Sequence, residues 1–230
     1  MSNEQDLVLL FDVDNTLLDN DRVQEDLLDH LESEFGKASR QLYWDIFEQL
    51  RSELGYADYL GALQRYRLQD MYNPQLLRMS SFLVDYPFAE RLYPRALDVL
   101  THCRHWGRVA ILSDGDVVFQ PRKIERSGLW DAVDGNVLIY IHKEQELASV
   151  AEQFPARHYV MVDDKLRILT AMKQAWGDRV TTVFPRQGHY AVDPKALAQY
   201  PAADVSIDAI GDLLNLGLDT LQAAGRRGMK

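Results

Sequence analysis

Two carboxylates one residue apart, Asp12 and Asp14, follow directly on the apolar run Leu7–Phe11, and Asn15 and Thr16 come next. A run this short has the length of one buried strand. Residues two apart on a continuing strand point to the same side. Asp12 and Asp14 are therefore expected to face one small volume at the strand's carboxyl end, where α/β sheets bind ligands. Like charges so close are costly unless a cation or a proton lies between them. The spacing thus asks for a metal ion or a shared proton.

Three further apolar runs end in polar residues that suit the same volume. Val109–Leu112 leads into Ser113, Asp114, Gly115 and Asp116. A hydroxyl followed by backbone N–H groups, with a glycine permitting close approach, can cradle a phosphate. The same residues also make an ordinary turn. Val137–Ile141 leads into His142 and Lys143. A lysine there can carry a compact positive charge to an oxyanion, or be solvated at a helix start. His142 reads as a surface or packing residue. Tyr159–Val162 leads into Asp163, Asp164 and Lys165. Adjacent carboxylates suit a hard cation such as Mg²⁺, and Asp164 could equally cap the helix that follows.

The elements that must place these residues fall into two kinds. From Asn20 to Arg91 the pattern is helical only. Val23, Leu27, Leu28, Leu31 and Phe35 recur at helical spacing and stop at Gly36; Leu42, Ile46, Phe47, Leu50 and Leu54 do so and stop at Gly55. A shorter helix is expected from Asp58, and Asn73-Pro74 reads as an N-cap followed by proline at the first helical position. From Leu92 onward strands and helices alternate, with helices over Pro94–Trp106, about Gln120–Ser127, Glu144–Phe154, Leu166–Trp176, after Pro194 and from Ala209. Further strands are expected at Val180–Phe184 and Val205–Ile207. Alternation implies right-handed βαβ units and a parallel sheet. The expected architecture is an α/β, Rossmann-like parallel sheet with helices on both faces, plus a small all-helical cap. Residues 1–19 and 92–230 would form the core and residues 20–91 the cap.

The bulk properties narrow the partners. The 230 residues are 47% hydrophobic and 26% charged, with a net charge of −10, which argues against broad binding to nucleic acid or an anionic membrane. No stretch is apolar enough to span a bilayer. The start of the chain is polar and acidic, so a cytoplasmic protein is expected. Cys103, the single cysteine, excludes an internal disulfide, fits a reducing compartment and reads as a buried packing residue. The tail Gly225–Lys230 is expected to fray.

The order of these motifs resembles the haloacid dehalogenase superfamily: Asp12-Val13-Asp14-Asn15-Thr16, then Ser113, then Lys143, then Asp163-Asp164, with a helical insert after the first. The resemblance spans almost the whole chain. It implies that Asp12 is a nucleophile that becomes an aspartyl-phosphate. Asp14 would protonate the leaving oxygen and then deprotonate water. Thr16 would brace the loop beside the bound group. Ser113 and the N–H of Asp114 would hold the phosphoryl oxygens, and Lys143 would pair with Asp12. Mg²⁺ would sit between Asp12, the main-chain carbonyl of Asp14, and one or both of Asp163 and Asp164. Relatives that cleave carbon–halogen bonds lack an aspartate at the second position, and the ATP-driven pumps carry Lys-Thr-Gly-Thr after the nucleophile. Asp14 therefore points to a Mg²⁺-dependent phosphatase of small phosphomonoesters, a monomer or homodimer. A phosphomutase or phosphotransferase, or a non-catalytic regulator that senses a phosphorylated metabolite, are the alternatives. The sequence departs from the family pattern in two places. Asp163-Asp164-Lys165-Leu166-Arg167 replaces a Gly-Asp followed by a later Asp, and Glu144 replaces the proline after Lys143. A second lysine, Lys123, falls inside a helix and fits the Lys143 position less well. In relatives the insert closes over the site, which makes Arg40, Tyr43, Trp44, Arg51 and Tyr56 candidates for substrate contact. Arg186, after another strand, could receive an anion or simply be exposed in a turn.

Overall fold

The computed structural model describes residues 5–69 and 71–227. The opening apolar run forms β1 (Gln5–Phe11). Beside it lie β2 (Arg108–Asp114), β3 (Val137–Tyr140), β4 (Ala156–Val162), β5 (Val180–Pro185) and β6 (Val205–Ile207). All pair in parallel, in the order β3-β2-β1-β4-β5-β6. β1 is central, with Leu9 opposite Val109 on one side and Val160 on the other. Its side chains alternate between two apolar clusters, Leu9 and Phe11 in one, Val8 and Leu10 in the other. Burial on both faces explains why the strand reads as an unbroken apolar run. The strand order reverses between β1 and β4, so their carboxyl ends open the crevice in which such sheets bind ligands.

Between β1 and β2 run α1 (Asn20–Phe35), α2 (Lys37–Leu54), α3 (Tyr59–Tyr66) and α4 (Gln75–Asp85). Their ends match their sequence signals. Gly55 ends α2 in the left-handed conformation at φ 80°, and the Asp58 carboxylate caps α3 by accepting from the Gly61 N–H at 2.7 Å. Asn73 accepts from the Gln75 N–H, with Pro74 just outside α4 instead of in its first turn. The apolar face of α2 keeps the centre of the expected stripe, with Ile46 against the core, and differs at its ends. Tyr43, Phe47 and Leu50 are buried, whereas Leu42 and Leu54 are exposed.

The rest of the chain places α5 (Ala96–Cys103), α6 (Phe119–Arg126), α7 (Leu129–Ala132), α8 (Leu147–Gln153), α9 (Leu166–Trp176), α10 (Pro194–Gln199) and α11 (Leu218–Arg227) around the sheet. Cys103 is fully buried on α5, where burial pushes its thiol up to about 12. Lys143–Gln145 forms a 3₁₀ turn ahead of α8, and the helix expected from Ala209 divides into a 3₁₀ turn, Ile210–Asn215, and α11. Fraying does not begin at Gly225. That glycine is buried in α11, close enough to β5 that a Cβ would meet Thr181 Oγ1. Gly228–Lys230 and Met1–Glu4 lie outside the described residues. Among the described residues no helix is long and apolar enough to cross a membrane.

Candidate active site

β1 stops at Phe11, so Asp14 is not on a continuing strand and does not share Asp12's direction. The loop turns through Asn15, which takes a positive φ of 61°. Asn15 is buried, and its carboxamide organises the start of α1. Its Oδ1 accepts from the Asn20 and Asp21 N–H groups at 3.0 and 3.1 Å. Asp12 and Asp14 thereby acquire different neighbours and different lysines.

Asp12 is buried at the end of β1, and Lys143 Nζ lies 2.5 Å from its Oδ1. The same ammonium is 2.7 Å from Asp163 Oδ2 and donates to the Leu112 carbonyl. Burial alone would push the Lys143 pKa down, but the Asp12 and Asp163 carboxylates outweigh it and hold it above the ordinary lysine value. Glu144, in place of the family's proline, pairs with Arg167 on α9 and leaves Lys143 in position. Asp14 is half-buried and turns away to Lys123, whose Nζ lies 2.7 Å from its Oδ1. The two lysines weighed for one role are thus both present, one for each carboxylate.

One oxygen from each of Asp12, Asp163 and Asp164 lies within 4.8 Å of the others. Asp12 Oδ2 and both oxygens of Asp164 are buried without a hydrogen-bond donor, while Asp163 Oδ2 has only the Lys143 ammonium. Burial pushes Asp163 up to about 6 and Asp164 well above the usual carboxylate range, the latter despite the Lys165 charge nearby. Three buried carboxylate oxygens without a donor, on two of three clustered aspartates, suit a hard divalent cation. The Asp14 carboxylate is outside this cluster. Asp164 does not cap α9. The Lys165 N–H is bound instead by Asp163 Oδ1 at 2.8 Å, and no side-chain hydrogen bond caps α9.

Thr16 is fully buried, and its hydroxyl accepts from the Asp164 N–H at 3.0 Å, so it braces the loop from behind and does not reach the open cavity. Ser113 is buried beside Gln120, whose Nε2 donates to its Oγ at 2.9 Å. Asp114 lines the cavity, and its Oδ1 accepts from the Lys143 N–H at 2.7 Å. Burial raises the Asp114 pKa, partly opposed by the Lys143 charge. The Gly115 N–H is not free for a phosphate, because it donates to the Tyr140 carbonyl at 2.9 Å.

A cavity of about 420 Å³ is bounded by Asp14, Asp114, Asp164 and Lys165 on one side and by residues of α2 and α3 on the other, while Asp12, Ser113, Lys143 and Asp163 are not in its wall. Of the insert residues considered, Arg51 and Tyr56 line it. Arg40 instead pairs with Asp29 and Glu32, Trp44 stacks on Phe47, and the Tyr43 hydroxyl donates to the Tyr59 carbonyl. Arg186 is exposed, 3.6 Å from Asp208, and takes no part in the cavity wall.

Several residues beyond the motifs also shape the site. Gln187 Nε2 donates to the Thr16 carbonyl at 3.2 Å. Gly188 packs so tightly on Asn15 that a Cβ would lie 2.5 Å from that side chain. His189 Nδ1 lies 2.7 Å from Asp21 Oδ1. None carries a sequence signal, because their partners are remote in the chain. Lys123 does carry one: with Phe119, Gln120 and Ile124 it forms the buried face of α6, where a charge needs a partner.

The profile of the haloacid dehalogenase-like hydrolases matches residues 7–175. A crystal structure from Burkholderia xenovorans LB400, of a protein ascribed to the same hydrolase family, is 65% identical. It aligns over 94% of this chain and 98% of its own with a TM-score of 0.89. The fold also resembles the magnesium-bound hydrolase YfnB of Bacillus subtilis (16% identity, 92% and 98% coverage, TM-score 0.61). The L-2-haloacid dehalogenase of Xanthobacter autotrophicus is likewise similar in fold (20% identity, 97% and 99% coverage, TM-score 0.59). The chain matches no curated protein. With the profile covering most of its length and its acidic cluster at the sheet's switch point, the chain belongs to the haloacid dehalogenase-like hydrolase family.

Proposed function

We propose that the protein is a Mg²⁺-dependent phosphatase of small phosphomonoesters that works through an aspartyl-phosphate on Asp12. The observation that carries this reading is Asp164, fully buried with neither oxygen partnered, next to Asp12 and Asp163, which share the single ammonium of Lys143. A phosphate dianion brought to three carboxylates needs more positive charge than Lys143 and Lys165 supply. Asp12, Asp163 and Asp164 would hold the ion. When bound, Mg²⁺ offsets the carboxylates and draws electron density from a phosphoryl oxygen.

The chain's own residues take distinct parts in this reading. Asp12 attacks phosphorus, with Lys143 fixing one carboxylate oxygen and offsetting charge on the transferring group. Ser113 and the backbone at Asp114 border that group from β2. Asp14, held apart from the cluster and lining the cavity, moves the proton, first to the leaving oxygen and then from water. Residues 20–91 act as a cap on a core made of residues 1–19 and 92–230, with Arg51 and Tyr56 touching the leaving group and the closed insert excluding water. The second carboxylate at Asp14 supports phosphoryl transfer over carbon–halogen cleavage.

Phosphate release from p-nitrophenyl phosphate tests the assignment. Release is expected in Mg²⁺, is lost in excess EDTA, and falls about a thousandfold or more in Asp12→Asn. Halide release from 2-chloropropionate without phosphate release from any ester would overturn it.

A further inference from the structure

Lys123 is fully buried inside α6, and no step above uses it. An ammonium in the interior is costly without acceptors, and Lys123 has two. Its Nζ donates to Asp14 Oδ1 at 2.7 Å and to Asn20 Oδ1 at 2.8 Å. Asp14 Oδ1 is therefore occupied. Oδ2 has only a long contact, 3.4 Å from Gln120 Nε2, and so is the oxygen left for a substrate.

The contacts continue into the insert. Asn20, the first residue of α1, donates from Nδ2 to the Tyr59 hydroxyl at 3.2 Å, and Tyr59 is the first residue of α3. The Tyr59 ring is clamped between Phe47 of α2 and Phe119 of α6, with centroids 4.7 and 5.2 Å away. Its hydroxyl is thus fixed by packing, not by solvent.

We propose that Lys123 is the positioning residue for Asp14, and that its hydrogen bond to Asn20, in turn bonded to Tyr59, makes the placement of that carboxylate depend on how the insert sits. The proposal rests on the phosphatase reading. In the first half-reaction an Asp12 oxygen bonds to phosphorus as the bond to the leaving oxygen breaks. The electron pair goes to that oxygen, and the Asp14 carboxyl supplies its proton. In the second, a water oxygen bonds to phosphorus, the Asp12–phosphorus bond breaks with its electron pair returning to Asp12, and Asp14 takes the proton from water. Both transfers need Oδ2 within hydrogen-bond reach of the reacting oxygen. Without Lys123 the carboxylate can swing, and an error of about 1 Å costs about a hundredfold in rate.

The readout is the ratio of kcat/KM for p-nitrophenyl phosphate to that for phenyl phosphate, whose leaving oxygen is more basic and depends more on the proton. Lys123→Met should lower kcat/KM for phenyl phosphate about a hundredfold and for p-nitrophenyl phosphate no more than about tenfold, moving the ratio toward that of Asp14→Asn. Tyr59→Phe, which removes only the hydroxyl, should move it the same way by about threefold or more. Equal losses on both substrates, or an unmoved ratio, would overturn the proposal while wild-type activity in Mg²⁺ and its loss in Asp12→Asn keep the phosphatase reading intact. If Lys123→Met lacks the wild-type circular dichroism spectrum, Tyr59→Phe decides. A wild-type protein that releases phosphate from neither ester overturns both.

Discussion

Thr16 and Asp164 are joined across the seam between β1 and β4, the Thr16 hydroxyl accepting from the Asp164 N–H at 3.0 Å. One bond ties the loop that follows Asp12 to the loop that completes the acidic cluster. Both residues are fully buried, so no water can replace either partner.

Thr16→Val keeps the shape and removes the acceptor. The buried Asp164 N–H is then unsatisfied, which costs about 1–3 kcal/mol, and each kcal/mol lowers Tm by about 2–4 °C in a chain of this size. Calorimetry should show that loss. Titration calorimetry should show Mg²⁺ binding weakened about 10- to 100-fold, as expected when a group that orients a metal ligand is removed. Unchanged Mg²⁺ affinity would separate the brace from the site.

The acidic cluster sets a pH dependence for the metal-free protein. Burial raises Asp163 to about 6 and Asp164 well above the usual range, both above the unfolded value near 3.8. For a carboxyl raised on folding, the associated stability is complete below the unfolded pKa and is lost as pH rises through the folded one. In EDTA the Tm contribution of this pair should therefore fall as pH climbs from about 4 through 6 and beyond. Asp164→Asn should flatten that slope and raise Tm at neutral pH. Adding Mg²⁺ should stabilise the wild type, by about 2.7 kcal/mol at a hundred times Kd, and the variant much less. A wild type that is equally stable across this range in EDTA would contradict the buried-charge account.

Gly188→Ala tests the packing behind the loop that follows Asp12. Gly188 has φ 67°, and a Cβ there would lie 2.5 Å from the Asn15 side chain. Strain and overlap together should cost about 1–3 kcal/mol. Asn15 sets the start of α1, so phosphate release should fall with Tm. An alanine variant with wild-type Tm would mean that the loop yields freely.

Much of the site was legible because its residues terminate buried strands. β1, β2 and β4 run apolar on both faces, so each is recognisable from sequence, and whatever polar residue follows must emerge at the sheet's carboxyl edge. Asp12, Ser113, Asp163 and Asp164 are readable in that way, whereas Lys143 follows the half-buried β3 by three residues. Asp14 was read by the same rule and placed differently, because the strand stops at Phe11 and Asn15 turns the backbone. Lys123 lies in a helix, and its partner is 109 residues away in the chain. No local pattern joins the two. On α2 the pattern of Ile46, Phe47 and Leu50 marks the buried face but not Tyr43, whose ring lies in the interior while its hydroxyl donates to the Tyr59 carbonyl. The packing of Gln187–His189 against Asn15, Thr16 and Asp21 depends on where β5 lies in the sheet, which no local pattern states.

The central place of β1 has a consequence for how the molecule comes into being. Leu9 finds one neighbour at Val109 and the other at Val160, so β1, made before either flank, waits for both until β4 has followed. Until then an apolar ribbon with two open edges is exposed to other chains. The helices between β1 and β2 are built from local contacts that form early. A nascent chain that has them in place can shelter that ribbon while the sheet is still unwritten.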